Sequence, residues 1–205
     1  MTKMDGAHLS VSLFPEPGDD RAAGEIHNLL LERGARPDGD HHFIERHRRM
    51  RLDRADDGVV EIVMSAGPFD YPDGTRQQMI VFGRYLVELL VAVTERTRPL
   101  YGGVGVERPL ATPGKLRDGI PASAYISDPL FVRQDLLARA DLETVLTGEF
   151  RRTIPGAAGT VFASWWPFAD GKPSNPGGLS QYGSWAGGRI LGRVAARHIA
   201  ARARG

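Results

Sequence analysis

Residues 75–107 read TRQQMIVFGRYLVELLVAVTERTRPLYGGVGVE. Thr75 stands three positions before Gln78, the spacing at which a capping hydroxyl and a glutamine amide satisfy each other's backbone N–H groups. Met79, Phe82, Leu86, Leu89, Leu90 and Val93 then recur at helical spacing, and Arg96, Arg98 and Pro99 close the segment. The pattern predicts a long amphipathic helix. A strand over Leu100–Glu107 follows, although its three glycines leave it little side chain to pack.

Working upstream, His8–Phe14 alternates and puts Leu9, Val11 and Leu13 on one face before Pro15-Glu-Pro-Gly ends it. Asp19 or Asp20 is placed to cap a helix whose stripe is Ala22, Ala23, Ile26, Leu29, Leu30 and Arg33, with Gly34 as its stop. Residues 41–54 and 59–66 read as extended, and Asp57-Gly58 between them is a hairpin signal. The order is βαββαβ. It predicts an α+β fold of the ferredoxin-like plan, an antiparallel sheet with its helices on one face.

Downstream of Pro109, Pro113 and Pro121, Asp128-Pro129 opens a predicted helix carrying Leu130, Leu136, Leu137, Leu142, Val145 and Leu146. Gly159–Phe168 reads as a strand, Asp170–Gly188 as a long loop, and residues 190–199 as a final helix. A C-terminal helix-strand-helix thus extends the ferredoxin-like half. The expected organisation is one domain over residues 1–205, with a sub-boundary near 109–120 as the alternative.

Composition bounds the chemistry. A chain of 205 residues is long enough to bury a core without covalent staples. It has no cysteine, which excludes a thiolate nucleophile, a redox CxxC pair and any Cys-ligated metal. Its 26 Lys and Arg against 25 Asp and Glu make a nucleic-acid partner an unfavoured expectation, because phosphate binding needs a concentrated cationic field. The longest apolar run, Leu89–Val93, is far shorter than the ~18 residues of a membrane-spanning helix. The first eight residues hold no apolar signal core, so a cytoplasmic location without a membrane partner is expected.

Phosphate loops and common hydrolase signatures are missing: Gly171-Lys172-Pro173-Ser174 lacks the upstream glycine of a Walker loop, and no Gly-x-Ser-x-Gly or His-Glu-x-x-His occurs. No cofactor is expected. Asp40, His41 and His42 are weak metal candidates, since imidazole and carboxylate both suit divalent ions. Adjacent strand residues nevertheless face opposite ways, which favours a solvated loop leading into a charged edge strand.

Two other features stand out. Arg46, Arg48, Arg49 and Arg51 crowd one segment, and on a continuous strand Arg46 and Arg48 point one way while Arg49 and Arg51 point the other. Guanidinium groups there can grip the carboxylates of an acidic protein. Trp165, Trp166, Tyr182 and Trp185 surround the long loop, and in a strand one of the adjacent tryptophans turns to the core while the other faces a pocket or partner. The leading expectation is a protein-interaction module, of inhibitor or immunity type, that uses these residues to bind an acidic surface. The alternative is a small-molecule enzyme or ligand-binding protein with a pocket between the sheet and the C-terminal elements. There Glu107 or His42 would act as general acid/base, Arg108 as anion clamp, and Trp166 or Tyr182 as wall. A homodimer through sheet faces or edges is compatible with either reading.

Overall fold

The computed structural model describes residues 7–55, 58–69, 75–106, 127–138 and 142–169. The elements in chain order are β1 (His8–Phe14), α1 (Ala22–Glu32), β2 (Arg36–Pro37), β3 (His42–Glu45), β4 (Arg48–Arg54) and β5 (Val60–Ser65). A 3-10 turn (Gly67–Phe69) then leads to α2 (Arg76–Thr97), β6 (Tyr101–Val106), β7 (Leu130–Arg133), α3 (Gln134–Leu137), α4 (Leu142–Glu149), β8 (Arg152–Pro155) and β9 (Gly159–Ala163). The protein is α+β. Among the described residues nine strands form one antiparallel sheet in the order β2-β3-β4-β5-β1-β6-β7-β9-β8.

Local chemistry explains the first half. Leu9, Val11 and Leu13 of β1 lie beside Met64, Ile62 and Val60 of β5, so one face of the paired strands is wholly apolar. On it sit the stripes of α1 (Ala22, Ile26, Leu30) and α2 (Met79, Phe82, Leu86, Leu89, Leu90, Val93). The predicted capping box of α2 is complete: Thr75 Oγ1 accepts from the Gln78 N–H at 3.2 Å, and Gln78 Oε1 accepts from the Thr75 N–H at 2.8 Å. α2 is long and apolar enough to cross a membrane by length and composition, but here its apolar face is the centre of the core. Gly83 lets the backbone at Pro167 approach α2 closely. A Cβ there would stand 2.3 Å from the Pro167 carbonyl oxygen.

The second half departs from the sequence expectation. Leu130–Arg133 is a strand rather than the start of a helix, because Phe131 packs into the α1/α2 core while Leu130 and Val132 enter a second core on the opposite face. That core joins Phe14, Tyr101 and Phe162 to Leu136, Leu137, Leu146 and Phe150. Helices therefore cover both faces of the sheet, not one. The strand predicted over Gly159–Phe168 stops at Ala163, and β8, unforeseen in the sequence, pairs with it at the sheet edge. The sheet is continuous from β6 to β7, the two strands that flank residues 107–126.

Candidate interaction surface at the β3–β4 hairpin

The segment expected as one strand over 41–54 is a tight hairpin. Glu45 pairs with Arg48, leaving Arg46 and His47 as a two-residue loop with φ of 48° and 68°. Two successive positive φ values define the turn whose twist matches the flanking strands, ordinarily filled by Asn-Gly. The arginine strip is consequently divided. Arg46 is exposed at the tip with His47, Arg48 lies on the helix-covered face, and Arg49 and Arg51 lie on the other. This corrects the placing of Arg46 and Arg48 on one strand face: the loop breaks the two-residue alternation between them.

On the outer face the register builds a small cationic field. Arg36 of β2, Ile44 of β3 and Arg49 of β4 form one cross-strand row, and His42 and Arg51 form the next. Cross-strand partners share a face and stand about 5 Å apart, so the three arginines and the imidazole are neighbours. Asp38 approaches Arg49 at 3.8 Å and Asp53 pairs with Arg51 at 2.6 Å. All of these ion pairs are solvent-exposed and individually weak.

Beneath the tip, the same hairpin carries buried charge. Glu45 is 2% exposed, and its Oε2 accepts from the Tyr85 hydroxyl of α2 at 2.6 Å. Arg33, from the C-terminal end of α1, places Nη2 3.3 Å from Glu45 Oε1. The Arg48 guanidinium carbon lies 4.7 Å from the Tyr85 ring centroid and 5.3 Å from that of Phe82. Burial, and then the hydrogen bond and negative charge of Glu45, hold the Tyr85 phenol above its ordinary range, so it stays a donor. Sequence reading missed this cluster, because Glu45 falls in the segment expected as a charged edge strand. Its signals were nevertheless present: Arg33 interrupts the apolar stripe of α1, and Glu45 is two residues from Phe43, on the same face.

The remaining candidates disperse. Asp40, His41 and His42 are exposed, and His42 Nδ1 lies 2.7 Å from the Asp40 main-chain oxygen. Among the described residues no three His, Asp or Glu side chains converge as a metal site. Trp165 and Trp166 are both buried, contrary to the expectation that one faces a pocket or partner. Residues 164–169 form a turn, not a strand, and Asp128 caps it by accepting from the Ser164 and Trp165 N–H groups at 3.0 and 2.7 Å. Alternation does not apply in a turn, and Trp165 packs against Phe69 and Phe168. Glu107, Arg108, Tyr182, Trp185 and the C-terminal helix predicted over 190–199 lie outside the described residues.

Comparison with known proteins returns no matching family model, no matching curated protein and no matching solved structure.

Proposed function

We propose that this chain is a cytoplasmic protein-interaction module, of inhibitor or immunity type, that binds an acidic partner surface through the β3–β4 hairpin. The observation that carries the reading is the cross-strand register, which gathers Arg36, Arg49, Arg51 and His42 on one exposed face beside Arg46 and His47 at the tip. Guanidinium groups so arranged match carboxylates in charge and in planar geometry. The neighbouring edge strand, β2, is two residues long and contains Pro37. Recognition by side chains is thereby favoured over addition of a partner strand to the main chain. We also propose that β4-β5-β1-β6, with α1 and α2 on one face, constitutes a ferredoxin-like unit, to which β2, β3 and β7–β9 are additions.

A fluorescent Asp/Glu-rich peptide titrated against the protein, followed by anisotropy, tests the function. The expected result is saturable binding that weakens as salt rises and is lost when Arg46, Arg48, Arg49 and Arg51 are replaced by Ser in a chain with unchanged circular dichroism. Unchanged binding by that variant contradicts the proposal, as does stronger binding to an oligonucleotide of equal charge.

A further inference from the structure

The four arginines of the hairpin are not equivalent. Arg49 and Arg51 lie on the outer face, largely in water, and each already has a carboxylate neighbour, Asp38 and Asp53 respectively. Arg46 occupies the exposed tip. Arg48 is half-buried on the opposite face, against the rings of Tyr85 and Phe82. Those rings are nearly parallel, 9° apart in orientation with centroids separated by 6.3 Å, and together make an aromatic ledge on α2.

Glu45 is the residue across the hairpin from Arg48 and would ordinarily neutralise it. Its carboxylate is instead engaged by the Tyr85 hydroxyl at 2.6 Å and Arg33 at 3.3 Å. Among the described residues no carboxylate lies within ion-pair distance of Arg48. A guanidinium held over aromatic rings by a cation–π contact uses none of its N–H groups in that contact and keeps them for a planar anion. The rotamer entropy that a free arginine loses on binding is already lost in the folded protein.

Resting on the function proposed above, we infer that Arg48 is the anchor of the interface: its guanidinium, held over the Tyr85 and Phe82 rings, takes an Asp or Glu carboxylate of the partner in a two-point hydrogen bond, at the seam between the hairpin tip and α2. Arg46 at the tip lies nearest to it, and Arg49 and Arg51, on the outer face of the hairpin, add only a longer-range positive field. Glu45, Tyr85 and Arg33 are positioning residues, whose mutual pairing keeps Arg48 uncommitted. Binding energy concentrated in one desolvated arginine beside aromatic rings is the usual distribution at protein interfaces.

The test ranks single arginine substitutions against the same acidic peptide. Arg48→Lys keeps the charge but loses the planar guanidinium and its two-point geometry, and is expected to weaken binding by about tenfold. Arg49→Gln and Arg51→Gln each remove a charge already shared with a local carboxylate, and should cost under about threefold. Equal losses across the series, or wild-type affinity in Arg48→Lys, overturn the anchor while leaving the broader function standing. Absence of any binding by the wild-type chain overturns both. NMR supplies a readout independent of how the variants fold: in the wild-type protein the Arg48 Nε–H resonance should be shifted by the aromatic rings and move on addition of peptide. An Arg48 resonance that stays fixed at saturating peptide refutes the contact.

Discussion

Tyr85→Phe isolates the buried charge that underlies the hairpin. The substitution keeps the ring, and with it the packing on Phe82 and the ledge beneath Arg48, but deletes the hydroxyl that donates to Glu45 at 2.6 Å. Hydrogen bonds to a charged acceptor contribute about 1.5–3 kcal/mol. The upper part of that range applies, because Glu45 is 2% exposed and its other oxygen, Oε1, makes no hydrogen bond, only the ion pair with Arg33 at 3.3 Å. A loss of about 2–3 kcal/mol is expected in urea unfolding at neutral pH, or roughly 4–12 °C in Tm for a chain of this size. The pH dependence has a definite sign. Since the folded-state phenol is held above its unfolded value near 10, Tyr85 favours the folded state below pH 10 and loses that contribution as pH rises beyond it. Tyr85→Phe should remove this part of the alkaline fall. Glu45→Gln in a double-mutant cycle should show coupling of about 1 kcal/mol or more. A Tyr85→Phe loss below about 0.5 kcal/mol, or no coupling, would refute the assignment.

Three other outcomes follow from the geometry. Gly83→Ala should destabilise by about 2 kcal/mol despite the better helix former, since the new Cβ meets the Pro167 backbone at 2.3 Å; Gly24→Ala in α1, with nothing within 4 Å, should instead stabilise by up to about 1 kcal/mol, both read by thermal melts. Replacing the turn by Arg46→Asn with His47→Gly should relieve two left-handed residues and raise stability by about 1–2 kcal/mol, yet weaken peptide binding because a tip cation is lost. Thr75→Ala removes one half of the capping box and should lower stability by about 1 kcal/mol, measurable as a drop in Tm of about 2–4 °C.

Elements with a local signature were readable from the sequence. The alternation in β1, the stripes of α1 and α2, the Thr75–Gln78 cap and Gly34, with φ of 86° just past α1, depend on neighbours a few residues apart. The Arg46-His47 turn was not readable, because neither residue favours positive φ and only the pairing of Glu45 with Arg48 imposes it. Leu130-Phe131-Val132 was misread because a strand buried on both faces shows a continuous apolar run without the period of either structure. Asp128-Pro129 was misread as the opening of a helix: Asp128 accepts instead from N–H groups 36 and 37 positions further on. The same limit applies to the candidate site. The richness in arginine and the opposition of Arg48 to Arg49 and Arg51 were plain from alternation, whereas the removal of Arg46 to a turn and the contacts that hold Glu45 against α1 and α2 come from tertiary pairing that no local pattern encodes.

The central claim, that the β3–β4 hairpin is a carboxylate-binding surface, is tested most directly by mapping an acidic peptide onto the wild-type chain through amide and arginine side-chain chemical shifts. Perturbations are expected to concentrate at Arg36, His42 and residues 45–51, with the Arg48 Nε–H among the largest and all of them diminished by salt. Perturbations centred away from the hairpin, or none at saturating peptide, would contradict it.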